Sequence, residues 1–323
     1  MTPVARRRIL SIVKLALLVV VLAFVARAIV HDLSKVDDWS AFHPHIGWLL
    51  VCGACLVGVS CVQMVGYRAL LGAYGHALPW RQMAGVAWVP PLGKYVPGKV
   101  VALVGAMAML KRVGVPLAIA ATVVLMLDAL AVLSGLIASA PMLLTPELQS
   151  RNAWLMPIAI ACLIGGAVVL HPRVFVFLLN VLLRKMKRAT IPRAPTLLEY
   201  VPPVLLAFAQ WLLAGLALWC ATRAFGDVPL SQLGWFVSLA ACAMTVSYLA
   251  LFAPGGLGVR EGIYMLMLPQ LIEGESAGTV ALIVVTMRLW QTAIELSLAG
   301  IGWWLSRRGL TTESTEGTER ERV

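Results

Sequence analysis

The sequence predicts an all-α polytopic membrane protein, with about six full spans and two re-entrant helical hairpins in an inverted repeat. Three observations lead there. First, 60% of the 323 residues are hydrophobic and only 13% are charged, far from the soluble norm, and several apolar runs exceed the length of a span. Second, Lys and Arg gather in alternate loops, the mark of a cytoplasmic side. Third, two otherwise apolar stretches, 90–99 and 253–262, combine Pro and Gly with charged residues. Backbone freed by such breaks finds no hydrogen bond in hydrocarbon, so both stretches must be buried in protein or line a polar cavity. In this reading residues 1–305 form a transmembrane domain. The polar, Thr- and Glu-rich stretch 306–323 forms a disordered cytoplasmic tail.

Segment one runs over about 9–30. Arg6, Arg7, Arg8 and Lys14 put its start in the cytoplasm, and the run is too long for a cleaved signal, so it reads as a retained anchor. Segment two, about 46–70, returns inward to Arg68, and Ala54 and Gly58 offer a small-xxx-small pair for a close helix neighbour. The first interrupted stretch follows within 80–112. Its arms, about 83–96 and 99–111, each reach only ~20 Å against a ~30 Å hydrocarbon core. Arg81 before it and Lys111-Arg112 after it make it a hairpin entering from the cytoplasm.

Segment three, about 116–140, crosses outward, and segment four, about 154–170, returns. The loop 171–198 carries Arg173, Arg184, Lys185, Lys187, Arg188 and Arg193. Within it Val174–Met186 suits an amphipathic helix lying on anionic inner-leaflet lipid. Segment five, about 200–224, crosses outward to the second interrupted stretch. Its arms are about 232–252 and 259–271, with both ends external; the first arm alone is long enough to cross. The last segment, about 277–305, runs inward to Trp303-Trp304 and Arg307-Arg308. Both termini are then cytoplasmic and one hairpin enters from each face. The halves share no sequence beyond the Pro-Gly breaks, so the symmetry is one of topology.

The net charge of +11 fits cytoplasmic loops and anionic lipid, not nucleic acid, for which no motif is present. The six Cys all lie in apolar segments, and the Cys52–Cys55 pair reads as packing because no second pair follows. His43 and His45 lack a nearby Cys or carboxylate cluster, so neither metal nor cofactor is expected. The Gly-rich run before Arg260 has the outline of a P-loop without its Lys-Ser or Lys-Thr and without a preceding strand, which argues against nucleotide binding. No Ser/His/Asp pattern or carboxylate cluster marks an enzyme.

Ionisable groups at membrane depth are costly and are candidates for function. Lys94, Lys99, Arg260 and Glu261 flank the breaks, beside half-helix ends whose backbone N–H groups favour anions; they are read as binding a phosphate-bearing substrate. Pro97, Gly98, Pro254, Gly255, Gly256 and Gly258 shape the hairpin tips. Arg288, Gln291, Thr292 and Glu295 form a stripe on one helix face. With Asp128 and Gln210 these make an internal polar network, in which Asp128 is expected to face Arg288 or a shared cavity. Structural pairing alone explains Asp128 and Glu295 as well as function does. For Arg260 the structural alternative is an ion pair with Glu261 or Asp128 that only holds the hairpin together.

At these residues the chain resembles a known family. Gly93-Lys94-Tyr95-Val96-Pro97-Gly98-Lys99 looks like its first signature, and Pro254-Gly255-Gly256-Leu257-Gly258-Val259-Arg260-Glu261 like its second. Arg288 matches an Arg usually found in its last helix. The family is the transmembrane, flippase-like domain of lysylphosphatidylglycerol synthases, and the resemblance runs to about residue 305. It implies movement of a lipid with an anionic or modified headgroup between the leaflets of an inner membrane; polyprenyl-phosphate glycans and phospholipids are the cargoes it suggests. In full-length synthases a soluble C-terminal domain makes the aminoacyl lipid and the membrane domain flips it. This chain is similar to stand-alone members without that domain, which implies transport and no aminoacylation of its own, as a monomer or a homo-oligomer. A membrane-embedded headgroup transferase, or an anchor for a separate synthase, are the alternatives.

Overall fold

The computed structural model describes residues 44–95, 100–143, 155–185, 190–191, 193–250, 256, 258–272 and 277–320. The expected segment 9–30 lies outside the described residues, as do Pro97, Gly98, Lys99, Pro254 and Gly255. The helices, numbered in chain order, are α1 (Ile46–Ala73), α2 (Trp80–Trp88), α3 (Val100–Arg112), α4 (Leu117–Leu143), α5 (Leu155–Leu170), α6 (Pro172–Lys185), α7 (Leu197–Arg223), α8 (Leu233–Leu249), α9 (Val259–Leu271) and α10 (Ala277–Arg320). Short 3-10 turns, Pro90–Tyr95 and Leu230–Gln232, follow α2 and precede α8. There is no strand among the described residues, as expected where backbone must satisfy itself within each segment.

Five helical stretches are long and apolar enough to cross a membrane: α1, α4, α7, Leu230–Leu249 and α10. One of these outcomes differs from the sequence reading, and another agrees with a length noted there. The fourth expected span, α5, has 16 residues, about 24 Å and short of the core; it bends by 79° into α6, and the pair counts as a sixth crossing only if taken together. The first arm of the second interrupted stretch is itself a candidate span. α10 continues as helix through the expected tail to Arg320, and its described side chains end at Arg307.

α1 and α7 run antiparallel along each other and form the spine. At one end the His45 amide donates to the Ala224 carbonyl (2.9 Å). At the other, Arg193 Nη2 donates to the Ala73 carbonyl (3.0 Å) and pairs with Glu199 (2.6 Å). Glu199 also completes a capping box with Thr196 that starts α7, satisfying amides a helix end leaves bare. This second end, with Arg68, Arg81, Lys111, Arg112 and Arg193, is the basic end.

Two apolar cores sit along the spine. One, at the basic end, joins Tyr67, Leu70 and Leu71 of α1 to Met83 and Val86 of α2, Leu110 of α3, and Val123, Met126 and Leu130 of α4. The other joins Cys52 and Cys55 of α1 to Leu218 of α7, Phe236 and Leu239 of α8, Leu268 of α9, and Ile283 and Met287 of α10. α2 is buried from Gln82 through Ala87 on all its faces, so it lies inside the bundle rather than on its surface. Trp88 at its end donates to the Ser60 carbonyl near the middle of α1 (3.1 Å).

α10 contributes Ile283 and Met287 to the second core and packs along α2 beyond it. A Cβ at Gly302 would lie 2.6 Å from the Ala84 carbonyl oxygen, whereas Gly300, two residues earlier, has nothing within 4 Å. Gly302→Ala is therefore expected to lower stability by about 1–3 kcal/mol through overpacking, while Gly300→Ala leaves it unchanged or slightly raised. Thermal midpoints of the two purified variants in detergent check this; equal midpoints would contradict the α2–α10 packing.

Candidate functional site

The second break is built from its glycines. Gly256 and Gly258 have φ of +68° and +82°, the left-handed region that residues with a Cβ rarely occupy. A Cβ on Gly256 would also collide with Ser247 Oγ, which donates to the Gly256 carbonyl (3.3 Å). The chain thus folds back on the end of α8 and starts α9 at Gly258. The Gly258 amide donates to Glu261 Oε2 (2.9 Å), so the third residue of α9 caps its own helix.

That cap delivers Arg260 and Glu261 to α10. Glu261 Oε1 accepts from Arg260 Nη2 (3.0 Å) and from Arg288 Nη1 (2.9 Å). Arg260 Nη1 also donates to Gln291 Oε1. Gln291 Nε2 in turn donates to Glu295 Oε1 (2.9 Å). The same carboxylate meets the first break: Lys94 Nζ lies 2.5 Å from Oε1, and the Tyr95 hydroxyl donates to Oε2 (2.9 Å). The first stretch reaches this point by descending along α10, from Gly85 beside Ser306 to Lys94 beside Glu295, about three turns. The two breaks approach from opposite ends of the bundle and meet on one face of α10.

The cluster is dry. Arg260, Glu261 and Tyr95 are each 6% exposed and Arg288 is 3% exposed. Arg288 and Lys94 both lie over the Tyr95 ring, at 6.0 and 5.3 Å from its centroid, a favourable site for a cation. Among the described residues three cations here meet two carboxylates, a surplus of one positive charge. Arg288 Nε and Nη2 have no hydrogen-bond partner there, nor does Thr292 Oγ1. Nε and Nη2 share one edge of the guanidinium and offer two parallel N–H donors, which match a pair of anionic oxygens.

The structure thus brings together Lys94, Arg260, Glu261, Arg288, Gln291 and Glu295. It does not bring in the other two network candidates. Gln210 Nε2 reaches the Val59 carbonyl (3.5 Å). Asp128 is hydrogen-bonded to Tyr248 and not to Arg288, because Arg288 already has a carboxylate in Glu261. Arg260 takes up the ion pair with Glu261 that was its structural alternative. Tyr95 escaped the sequence reading; its position beside Lys94 in the first signature was the available signal.

Glu261 neutralises two buried guanidinium groups, so Glu261→Gln is expected to cost about 3–5 kcal/mol. Asp227 pairs with Arg223 at the surface with 90% of its side chain exposed, and Asp227→Asn should stay within about 1 kcal/mol. Thermal unfolding in detergent compares the two; a drop for Glu261→Gln no larger than for Asp227→Asn would contradict the bridging role.

The family profile described as "Lysylphosphatidylglycerol synthase TM region" matches residues 11–294. No curated protein matches the chain. The matched span contains α1 to α9 and α10 as far as Ile294, with Arg288 and Gln291 inside it and Glu295 one residue beyond. The chain is a multi-pass membrane protein related to lipid handling, and it belongs to the lysylphosphatidylglycerol synthase transmembrane-region family.

Proposed function

We propose that this chain is an inner-membrane lipid flippase, without enzyme activity of its own, that moves an anionic or phosphate-linked lipid between leaflets. The observation that carries the reading is the convergence of two helix breaks, from opposite ends of the bundle, on one buried cluster with surplus positive charge. Broken helices that meet inside a bundle are the form substrate sites take in secondary transporters. A phosphate group would be drawn to that surplus. In this proposal Lys94, Lys99 and Arg260 surround the headgroup, Glu261 holds the guanidinium groups in place, and the open edge of Arg288 faces the phosphate oxygens.

The breaks are re-entrant in this reading, one from each face, which gives an inverted repeat of topology. The basic end is cytoplasmic, and so are both termini. α6 then lies on the inner leaflet: Phe177 and Leu178 are exposed at 66% and 48%, beside Arg173, Arg184 and Lys185. A hydrogen-bonded pair between Asn180 and the Ile191 backbone (2.7 and 3.1 Å) anchors its return.

Topology is tested by single-Cys labelling in intact cells on a Cys-free background. Leu230→Cys should react from outside and Arg81→Cys only after permeabilisation; the reverse pattern would overturn the orientation. Transport is tested in liposomes carrying headgroup-labelled phospholipid and an impermeant quencher. Wild type should expose inner-leaflet lipid well above the protein-free rate. Arg288→Lys, which keeps the charge and loses the fork, should be at least about tenfold slower. Wild-type rates equal to those of protein-free liposomes would overturn the proposal.

A further inference from the structure

Asp128 stands apart from the cluster just described. It lies near the middle of α4, a candidate span of 26 residues, some 16 Å from the start of that helix. Among the described residues it forms no ion pair. Its partner is the hydroxyl of Tyr248, on the last turn of α8. Tyr67 of α1, 6% exposed, lies next to it. No other charged or titratable side chain among the described residues faces it from α3, α5, α6 or α7, the other helices packed against α4.

A carboxylate at membrane depth without a cation is costly as an anion and inexpensive as an acid. The acid form gains an O–H donor that the anion lacks, so the two states make different hydrogen bonds to Tyr248. Tyr248 is not an arbitrary partner. Ser247, the next residue back, holds the Gly256 carbonyl, and Gly258 two residues later starts α9 and its Arg260-Glu261 pair. A change at Asp128 therefore acts on the end of α8 from which the second break departs.

We propose that Asp128 is a proton-binding site, tied through Tyr248 to the second break, that links lipid movement to the uptake and release of one proton. The proton comes from water and returns to it, and no other bond changes. The linkage rests on the flippase reading; the proton site does not.

Two measurements on the full chain in phosphatidylcholine bilayers test this and fail separately. In the first, infrared difference spectra are recorded from roughly pH 5 to pH 9. Wild type should gain a protonated-carboxyl C=O band as pH falls. Asp128→Asn, of equal size, should lack it, and Tyr248→Phe should keep it at a shifted frequency. The same band in Asp128→Asn, or a wild-type band constant across the range, would overturn the site. In the second, a gradient of one pH unit is imposed on the liposomes. One coupled proton biases the leaflet distribution of labelled lipid by up to about tenfold. Asp128→Asn should show no bias, and Asp128→Glu should restore part of it, which also guards against a variant that fails to fold. Wild-type lipid movement without bias would overturn the linkage. No lipid movement at all would defeat the flippase reading, and the infrared result would still decide the proton site.

Discussion

The arrangement depends on one carboxylate. Glu261 sits between Arg260 and Arg288 with almost no exposure to solvent. A buried ion pair is weak evidence for stability, since desolvation offsets much of its attraction. What it supplies here is position. Glu261 caps α9 through the Gly258 amide and fixes the start of that helix against α10. It also holds Arg288 by Nη1, which leaves the other edge of the guanidinium pointing elsewhere. Without that grip neither the second break nor Arg288 has a fixed place.

The first break is held to the same helix by a second carboxylate. Glu295 takes Lys94, Tyr95 and Gln291 together, so both of its oxygens are occupied. Gln291 connects the two carboxylates, accepting from Arg260 and donating to Glu295. α10 thereby acts as a common rail with one break clipped to it at each carboxylate. Glycines permit close backbone approach here: Gly302 of α10 packs on the Ala84 backbone of α2, and Gly93 in the following turn on the Ala102 backbone of α3. Movement of either break along the rail would have to exchange these hydrogen bonds for others.

Much of this was legible in the residues. Pro and Gly beside charge inside apolar sequence marked both breaks, and the i, i+3, i+4, i+7 stripe on α10 identified the face they share. The arms fell close to where length and composition placed them, since few other assignments satisfy the backbone in hydrocarbon. Partner choice was not legible. Asp128 and Arg288 are both mid-span and of opposite sign, yet Arg288 is taken by Glu261, a residue whose reach depends on the left-handed turn at Gly256 and Gly258. Tyr248 could not be matched to Asp128 from periodicity, because the contact joins α4 to α8 over a long separation. The length of α5 was legible; its sharp bend into α6 at His171 and Pro172 was not, because hydropathy carries no direction.

The two breaks are joined through α10 into one site. A double-mutant cycle of Lys94→Gln and Glu295→Gln, read both as thermal stability and as lipid movement in liposomes, measures that junction. A joined site predicts coupling above about 1 kcal/mol in stability, with the double variant little slower in lipid movement than either single one. Additive effects in both measurements would contradict it.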